Sequence, residues 1–171
     1  MQYRRLLGLS QLSSLEILTL EIEDNHSKDV QLNILDQHFS KQLKTFKIFY
    51  NKINIMNEDN RFSYLLNLSQ SCDLQNITIS FENCLIKNFS ENLVKAICQN
   101  KNLNSLTLFY NSFSQGLSQV DVDQLVGSTR YFSKLHNFSL TTICLFMGKK
   151  NNLKKLLLHQ KRLTKFKLNI F

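Results

Sequence analysis

The sequence predicts an α/β repeat fold of about six units, each made of a strand, a turn and a helix that returns to start the next strand. A short apolar pattern typical of a strand recurs six times along the 171 residues. Successive copies begin 28 to 32 residues apart. Between copies, apolar residues are spaced three and four apart, which is the spacing of one helix face. A fixed period of this length is the signature of a repeat architecture.

The strand pattern is most complete in "LKTFKIFYNKI" (43–53) and "LNSLTLFYNSF" (103–113). Both segments have apolar residues at the first, fourth, sixth and eleventh positions and Asn at the ninth. Apolar residues at a spacing of two indicate a strand with one buried face. The other copies keep the first, fourth and sixth positions, and the six copies begin at Leu15, Leu43, Leu74, Leu103, Leu135 and Leu163.

Segments between the strands carry the helical spacing. Two of them have an apolar triplet on one predicted helix face: Leu93, Val94 and Ile97 in the first, and Leu153, Leu156 and Leu157 in the second. In a third segment, Ser118 precedes Asp121 and Asp123. This arrangement is typical of a helix N-cap followed by acidic residues in the first turn, where they interact favourably with the helix dipole.

These motifs resemble the leucine-rich repeat family, and the repeat length with a full helix is most similar to its ribonuclease-inhibitor-like subclass. The resemblance covers residues 6–171. It implies a horseshoe-shaped solenoid with a parallel sheet on the concave side and helices on the convex side. It also implies that the ninth-position residues Asn51 and Asn111 bind exposed backbone along the turn. The other four repeats have different residues there, which predicts an irregular array: Glu23, Glu82, Ile143 and Phe171.

A single domain over residues 1–171 accounts for the whole pattern, and the absence of proline fits an array without a hinge. The alternative is that the chain is one array of a longer protein. No apolar run reaches the roughly 20 residues that span a bilayer. We expect a cytoplasmic protein, although the acid-free start "MQYRRLLGLSQLSSL" also fits a mitochondrial presequence.

The sequence contains no motif typical of an enzyme. It has no phosphate-binding loop, no dinucleotide-binding glycine motif and neither H-E-x-x-H nor G-x-S-x-G. The four cysteines form no C-x-x-C pair, and the four histidines are scattered without the spacing of metal ligands. We therefore expect a non-enzyme with no catalytic residues, no metal site and no cofactor.

Residues that alternate with the apolar strand positions are expected to line the concave face. At the seventh and eighth positions they form an aromatic cluster that we predict to bind a partner protein: Phe49, Tyr50, Phe81, Phe109 and Tyr110. Aromatic residues are enriched at binding hot spots because they bury a large area at a low entropic cost. The alternative is that the eighth-position residues turn inward at the strand end and close the core.

Basic residues are concentrated near the C-terminus. The net charge is +8, and no acidic residue follows Asp123. A set of eight, which we call the basic flank, comprises Lys149, Lys150, Lys154, Lys155, Lys161, Arg162, Lys165 and Lys167. One interpretation is a set of solvated helix faces that keep the protein soluble. The other is a surface that docks an acidic protein, RNA or an anionic membrane.

Two functions are consistent with this sequence. The first is a non-enzymatic scaffold for protein–protein interaction with the partner on its concave face, the role that the resemblance implies. The alternative is a structural subunit of a large ribonucleoprotein assembly that contacts RNA or an acidic partner through the basic flank. We also expect a partner, or further residues, to cover the last strand, with Phe166 and Leu168 inaccessible in the complex.

Overall fold

A computed structural model describes the chain over residues 14–23, 41–52, 54–55, 73–86, 93–94, 97–98, 100–111, 119–142 and 163–170. The six longer strands are β1 (Ile17–Glu23), β2 (Thr45–Asn51), β4 (Asn76–Glu82), β6 (Ser105–Asn111), β7 (Asn137–Thr142) and β8 (Lys165–Ile170). Two short strands are β3 (Asn54–Ile55) and β5 (Leu85–Ile86). One α-helix, α1 (Gln119–Ser128), is followed by a 3-10 turn (Thr129–Tyr131).

The six longer strands form one open parallel sheet in the order β1-β2-β4-β6-β7-β8. Each strand therefore pairs with the strand of the preceding repeat. The fourth-position residues are aligned across the sheet: Leu18, Phe46, Ile77, Leu106, Phe138 and Phe166. The sixth-position residues are aligned in the same way: Leu20, Ile48, Ile79, Leu108, Leu140 and Leu168. The predicted strand positions and their common phase are confirmed.

The core lies on one face of this sheet. Residues of the fourth and sixth positions are buried in the central strands, and Leu106 and Leu108 are each 1% exposed, as predicted. Fully burying a side chain of this size contributes roughly 1.5–3 kcal/mol to stability. The first-position leucines of the central repeats, such as Leu43 and Leu74, are also buried. The alternation of apolar and polar residues thus divides each strand between core and surface.

Backbone hydrogen bonds repeat at the starts of the five long strands that follow β1. The carbonyl oxygen of Glu16 accepts from the N–H groups of Lys44 and Thr45, at 2.9 and 3.0 Å. The same double acceptor recurs at the second position of the following four repeats: Lys44, Gln75, Asn104 and His136. Because buried backbone polar groups need partners, this ladder stabilises the register of neighbouring repeats where the strands begin.

A corner follows the second and third long strands. Lys52 and Asn83 have positive φ values of 57° and 56°, and each precedes one of the short paired strands β3 and β5. The N–H of Lys52 donates to the carbonyl of Glu82 at 2.9 Å, and Asn83 donates likewise to Asn111. Left-handed backbone is uncommon for residues other than glycine, although Asn tolerates it well. These hydrogen bonds hold the chain in the corner conformation without glycine.

At the ninth position, Asn51 makes a contact different from the one that the resemblance implies. The amide Nδ2 of Asn51 donates to the carboxylate Oε1 of Glu23 in the preceding repeat, at 3.3 Å. The side-chain oxygens of Asn51 and Asn111 are buried, and neither has a hydrogen-bond partner within the described residues. The expected side-chain ladder to turn backbone is therefore not seen in this part of the chain.

Helical segments contribute to the same core as the strands. Val122, Leu125 and Val126 of α1 are buried in that core. The helix predicted beyond Ser118 is confirmed, although Ser118 itself lies outside the described residues. Leu93, Val94 and Ile97 have helical backbone, whereas the triplet at 153–157 also lies outside the described residues.

In the part of the chain that the structure describes, no helix is both long enough and apolar enough to cross a membrane.

Candidate functional site

The sheet has a second face, which bears the third-, fifth-, seventh- and ninth-position side chains and which we call the open face. None of these side chains is buried in the described strands. Hydroxyl groups are frequent on it: Thr19, Thr45, Thr78, Ser80, Ser105, Thr107, Ser139 and Thr141. Apolar side chains are few, namely Ile17 at the β1 edge and Phe49 and Phe109 in the interior. Single apolar side chains on a surface are common, but two in register on an otherwise polar face are a candidate contact for a partner.

Phe49 and Phe109 lie on either side of Ser80. The register aligns Phe49 of β2 with Ser80 of β4, and Ser80 with Phe109 of β6. Because neighbouring strands are 4.7–4.9 Å apart, the Cα atoms of the two phenylalanines are roughly 10 Å from each other. Two partly buried phenylalanines thus flank one small hydroxyl side chain. We call these three residues the Phe notch.

The other three residues of the predicted aromatic cluster are in the core. Tyr50, Phe81 and Tyr110 are 1%, 0% and 3% exposed, so their placement on the concave face is wrong and the inward alternative holds. The physical reason is strand alternation, since an eighth-position side chain lies on the same side as the fourth and sixth. The predicted cluster of five is therefore divided between the two faces of the sheet.

Inside the core these rings form a stack across three repeats. Tyr50 and Phe81 are nearly parallel, with ring centroids 4.9 Å apart, and Phe81 is tilted against Tyr110 at 6.2 Å. The hydroxyl of Tyr110 donates to the carbonyl oxygen of Cys84 at 3.4 Å. This bond satisfies the buried phenol, which would otherwise destabilise the core. These aromatic residues stabilise the fold and are not accessible to a partner.

Charged residues surround the Phe notch asymmetrically. Glu82 is exposed on the open face two residues after Ser80, and Lys47 is exposed two residues before Phe49. Glu21 is aligned with Phe49 on the neighbouring strand β1 and is also exposed. Within the described residues, ion pairs join Lys44 to Glu16 at 3.1 Å and Lys52 to Glu23 at 3.4 Å. Neither Glu82 nor Lys47 takes part in an ion pair with a described residue.

Part of the basic flank lies at the far edge of the sheet. Lys165 and Lys167 are exposed on β8, whereas six members lie outside the described residues: Lys149, Lys150, Lys154, Lys155, Lys161 and Arg162. Phe166 stacks on Phe138 with ring centroids 5.7 Å apart. Phe166 and Leu168 are nevertheless less buried than the equivalent residues of the neighbouring strand. The apolar side of β8 is therefore only partly covered.

The described residues contain no group of three or more His, Cys, Asp or Glu side chains that could hold a metal ion. Cys84 and Cys98 are free thiols. Burial raises the pKa of the Cys98 thiol, which keeps it protonated and weakly nucleophilic near neutral pH. His136 is exposed, and its backbone carbonyl belongs to the ladder at the strand starts. These groups do not converge on a common site.

Sequence reasoning missed two features of the open face. It assigned no role to Glu82, although the ninth position lies on the same side of the strand as the seventh. It likewise passed over Lys47, which occupies the fifth position beside Phe49. The signal was the alternation of the strand itself, because residues two apart share a face. Applied strictly, that rule would also have separated Tyr50 from Phe49.

Comparison of the chain with models of known protein families and with curated protein sequences finds no match. The candidate site therefore depends on the geometry and chemistry of the chain's own residues.

Proposed function

We propose that the chain is a leucine-rich-repeat solenoid, a single domain over residues 1–171, that acts as a non-enzymatic scaffold and binds a partner protein on its concave face. The open parallel sheet supports the solenoid, because strands in chain order with a common register are what stacked repeats produce. The contribution of α1 to the core supports helices on the other side of the sheet. The open face described above would then be the concave one.

The observation that carries the proposed function is the pair of partly buried phenylalanines of the Phe notch, which lie on the open face of the sheet. Phe49 and Phe109 interrupt a face that is otherwise rich in hydroxyl groups, and they are in register across Ser80. Apolar residues on a polar face gain free energy when a partner covers them. Besides Ile17, the described side chains of this face are hydroxyls, amides, phenyl rings and charged groups, a composition that suits recognition. A reducing compartment such as the cytoplasm fits the free thiols of Cys84 and Cys98.

The test replaces both notch rings. Phe49→Ala with Phe109→Ala should remove specific partners from an affinity purification analysed by mass spectrometry, because hot-spot truncation typically costs about 2 kcal/mol or more of binding free energy. Circular dichroism should show a melting curve close to that of the unmodified protein.

The matched control is Tyr50→Ala with Tyr110→Ala, one position along each of the same strands. It should lower the melting temperature strongly, because it removes two buried rings and leaves cavities in the core. Retention of every partner by a folded Phe49→Ala, Phe109→Ala protein would contradict the proposed function, as would an equal loss of stability in both double variants.

An alternative proposal uses the basic flank, and the observation that favours it is the partly covered edge at β8. Lys165 and Lys167 are exposed there beside the half-buried Phe166 and Leu168. A structural subunit of a ribonucleoprotein assembly would place such an edge against RNA or an acidic protein. Binding would then weaken steeply with salt concentration, because each neutralised phosphate releases a counterion. RNA that copurifies and dissociates with salt would favour this function, and salt-insensitive capture that depends on Phe49 would exclude it.

A further inference from the structure

We infer that the Phe notch receives an arginine side chain from an extended segment of the partner, with the guanidinium between Phe49 and Phe109 and directed toward Glu82. The inference rests on the proposed function and specifies the chemistry of its partner. It depends on three features of the described residues: the separation of the two rings, the exposed carboxylate beside them, and the position of Lys47.

The separation of the rings suits a flat cation. Two rings that both contact a planar group are about 7–8 Å apart, since each carbon–carbon contact is 3.5–4.0 Å. The Cα atoms of Phe49 and Phe109 are roughly 10 Å apart, so a small inclination of each ring closes the remaining distance. Ser80 lies between them with one of the smallest polar side chains. Its hydroxyl oxygen is a hydrogen-bond acceptor for a guanidinium N–H group.

Beside the notch, toward the C-terminal ends of the strands, the charge is the negative one of Glu82. Glu82 follows Ser80 by two residues on the same face, about 6.6 Å further along β4. It is exposed, and it forms no ion pair with another described residue. A side chain lying over Ser80 can therefore reach this carboxylate with its charged end. Arginine suits the site better than lysine, because its planar guanidinium stacks on aromatic faces and binds a carboxylate through two N–H groups.

Lys47 acts in the opposite direction. Its exposed ammonium precedes Phe49 by two residues on the same face, so it repels a cation held in the notch. The positive charge of the partner is thereby directed away from Lys47 and toward Glu82. Removing the charge of Glu82 should therefore lower the affinity for arginine, whereas removing the charge of Lys47 should raise it.

The experiment is a nuclear magnetic resonance titration of the folded chain with two matched probes, the N-acetyl methylamides of arginine and of citrulline. Citrulline has nearly the shape of arginine but no charge. The ring signals of Phe49 and Phe109 are assigned from the spectra of the corresponding Phe→Leu variants. At low ionic strength, arginine should shift both ring signals saturably with a dissociation constant in the millimolar range. Citrulline should bind at least about twofold more weakly, the lower value of one exposed cation–π contact.

Charge variants sharpen the test, and all of them alter exposed residues. Glu82→Gln should weaken arginine binding about two- to fivefold and leave citrulline binding unchanged, because it removes one exposed charge-assisted contact. Lys47→Ala should strengthen arginine binding, and raising the salt concentration should reduce both effects. Glu16→Gln, which alters a carboxylate paired with Lys44 away from the notch, is the matched control and should have no effect.

Equal binding of arginine and citrulline would overturn the inference, as would the absence of saturable shifts at Phe49 and Phe109 or an unchanged arginine affinity in Glu82→Gln. If partner capture depends on Phe49 and Phe109 but not on Glu82, the proposed function stands and the arginine inference fails. If capture is insensitive to both phenylalanines, the proposed function fails, and arginine binding at the notch then tests the site by itself.

Discussion

Two adjacent residues of β2 lie on opposite faces of the sheet, and so do the two residues at the equivalent positions of β6. Phe49 and Phe109 lie on the open face and are only partly buried, whereas Tyr50 and Tyr110 are buried in the core. The four side chains are similar in size and lie in strands of matching register. What separates them is a shift of one residue, which moves a strand side chain to the other face of the sheet. Aromatic character alone therefore does not identify a binding residue in a repeat of this kind.

The two faces also differ in how their aromatic residues are spaced. In the core, the eighth position is aromatic in three consecutive repeats, so the rings of Tyr50, Phe81 and Tyr110 contact one another. On the open face, the seventh position of the middle repeat is Ser80, so Phe49 and Phe109 are separated. Continuous stacking stabilises a fold, whereas a gap between two rings leaves room for a ligand. The comparison predicts that substitutions one residue apart have very different consequences.

The largest contrast is expected within β4. Phe81→Ala should cost about 3–5 kcal/mol of unfolding free energy, because it removes a fully buried ring and leaves a cavity between two others. Ser80→Ala, one residue earlier on the open face, should change stability by less than about 0.5 kcal/mol. Urea denaturation followed by circular dichroism measures both. Similar costs for the two variants would show that the faces are not distinguished in this way.

The next contrast is in β6, where the buried residue is aliphatic. Leu106→Ala should cost roughly 2–5 kcal/mol through the lost transfer free energy and the cavity left behind. Thr107→Ala, on the open face, is the matched control with a small effect. In a solenoid, a loss at this central strand would also uncouple the repeats on either side, and the urea transition would broaden. A cost below about 1 kcal/mol for Leu106→Ala would contradict the repeat register.

The smallest effect is expected for an exposed ion pair outside both aromatic groups. Lys44→Gln removes the contact between Lys44 and Glu16. The side chains of these two residues are each about half exposed. Surface pairs of this kind contribute about 0–1 kcal/mol, and salt screens them. Thermal melts of Lys44→Gln and the unmodified protein at low and high salt provide the measurement, and the small difference should vanish at high salt. A loss comparable to that of Leu106→Ala would mean that the ladder at the strand starts depends on this pair.

Most of the sheet could be predicted from the sequence, because the spacing within a strand and the spacing between strands both appear as regular intervals along the chain. A spacing of two residues identified the buried side of each strand, and a spacing of 28 to 32 residues identified the strands that pair. The candidate site could be predicted in part. Phe49 and Phe109 were placed on the correct face, while Tyr50, Phe81 and Tyr110 were not. The error arose at the strand end, where a chain can either continue extended or turn.

Sequence alone thus determined where the strands lie, which residues share a row and which leucines fill the core, because these follow from periodicity along the chain. Tertiary structure decided how far each strand continues after the sixth position and which face the eighth residue occupies. Pairing with neighbours on both sides keeps β2, β4 and β6 extended through the eighth residue, so that Tyr50, Phe81 and Tyr110 face inward. It also decided the left-handed corners at Lys52 and Asn83, whose N–H groups donate hydrogen bonds to carbonyl oxygens of the following repeat. Strand alternation assigns the eighth residue to a face only where the strand stays extended, and both that extension and the corners depend on backbone groups supplied by another part of the chain.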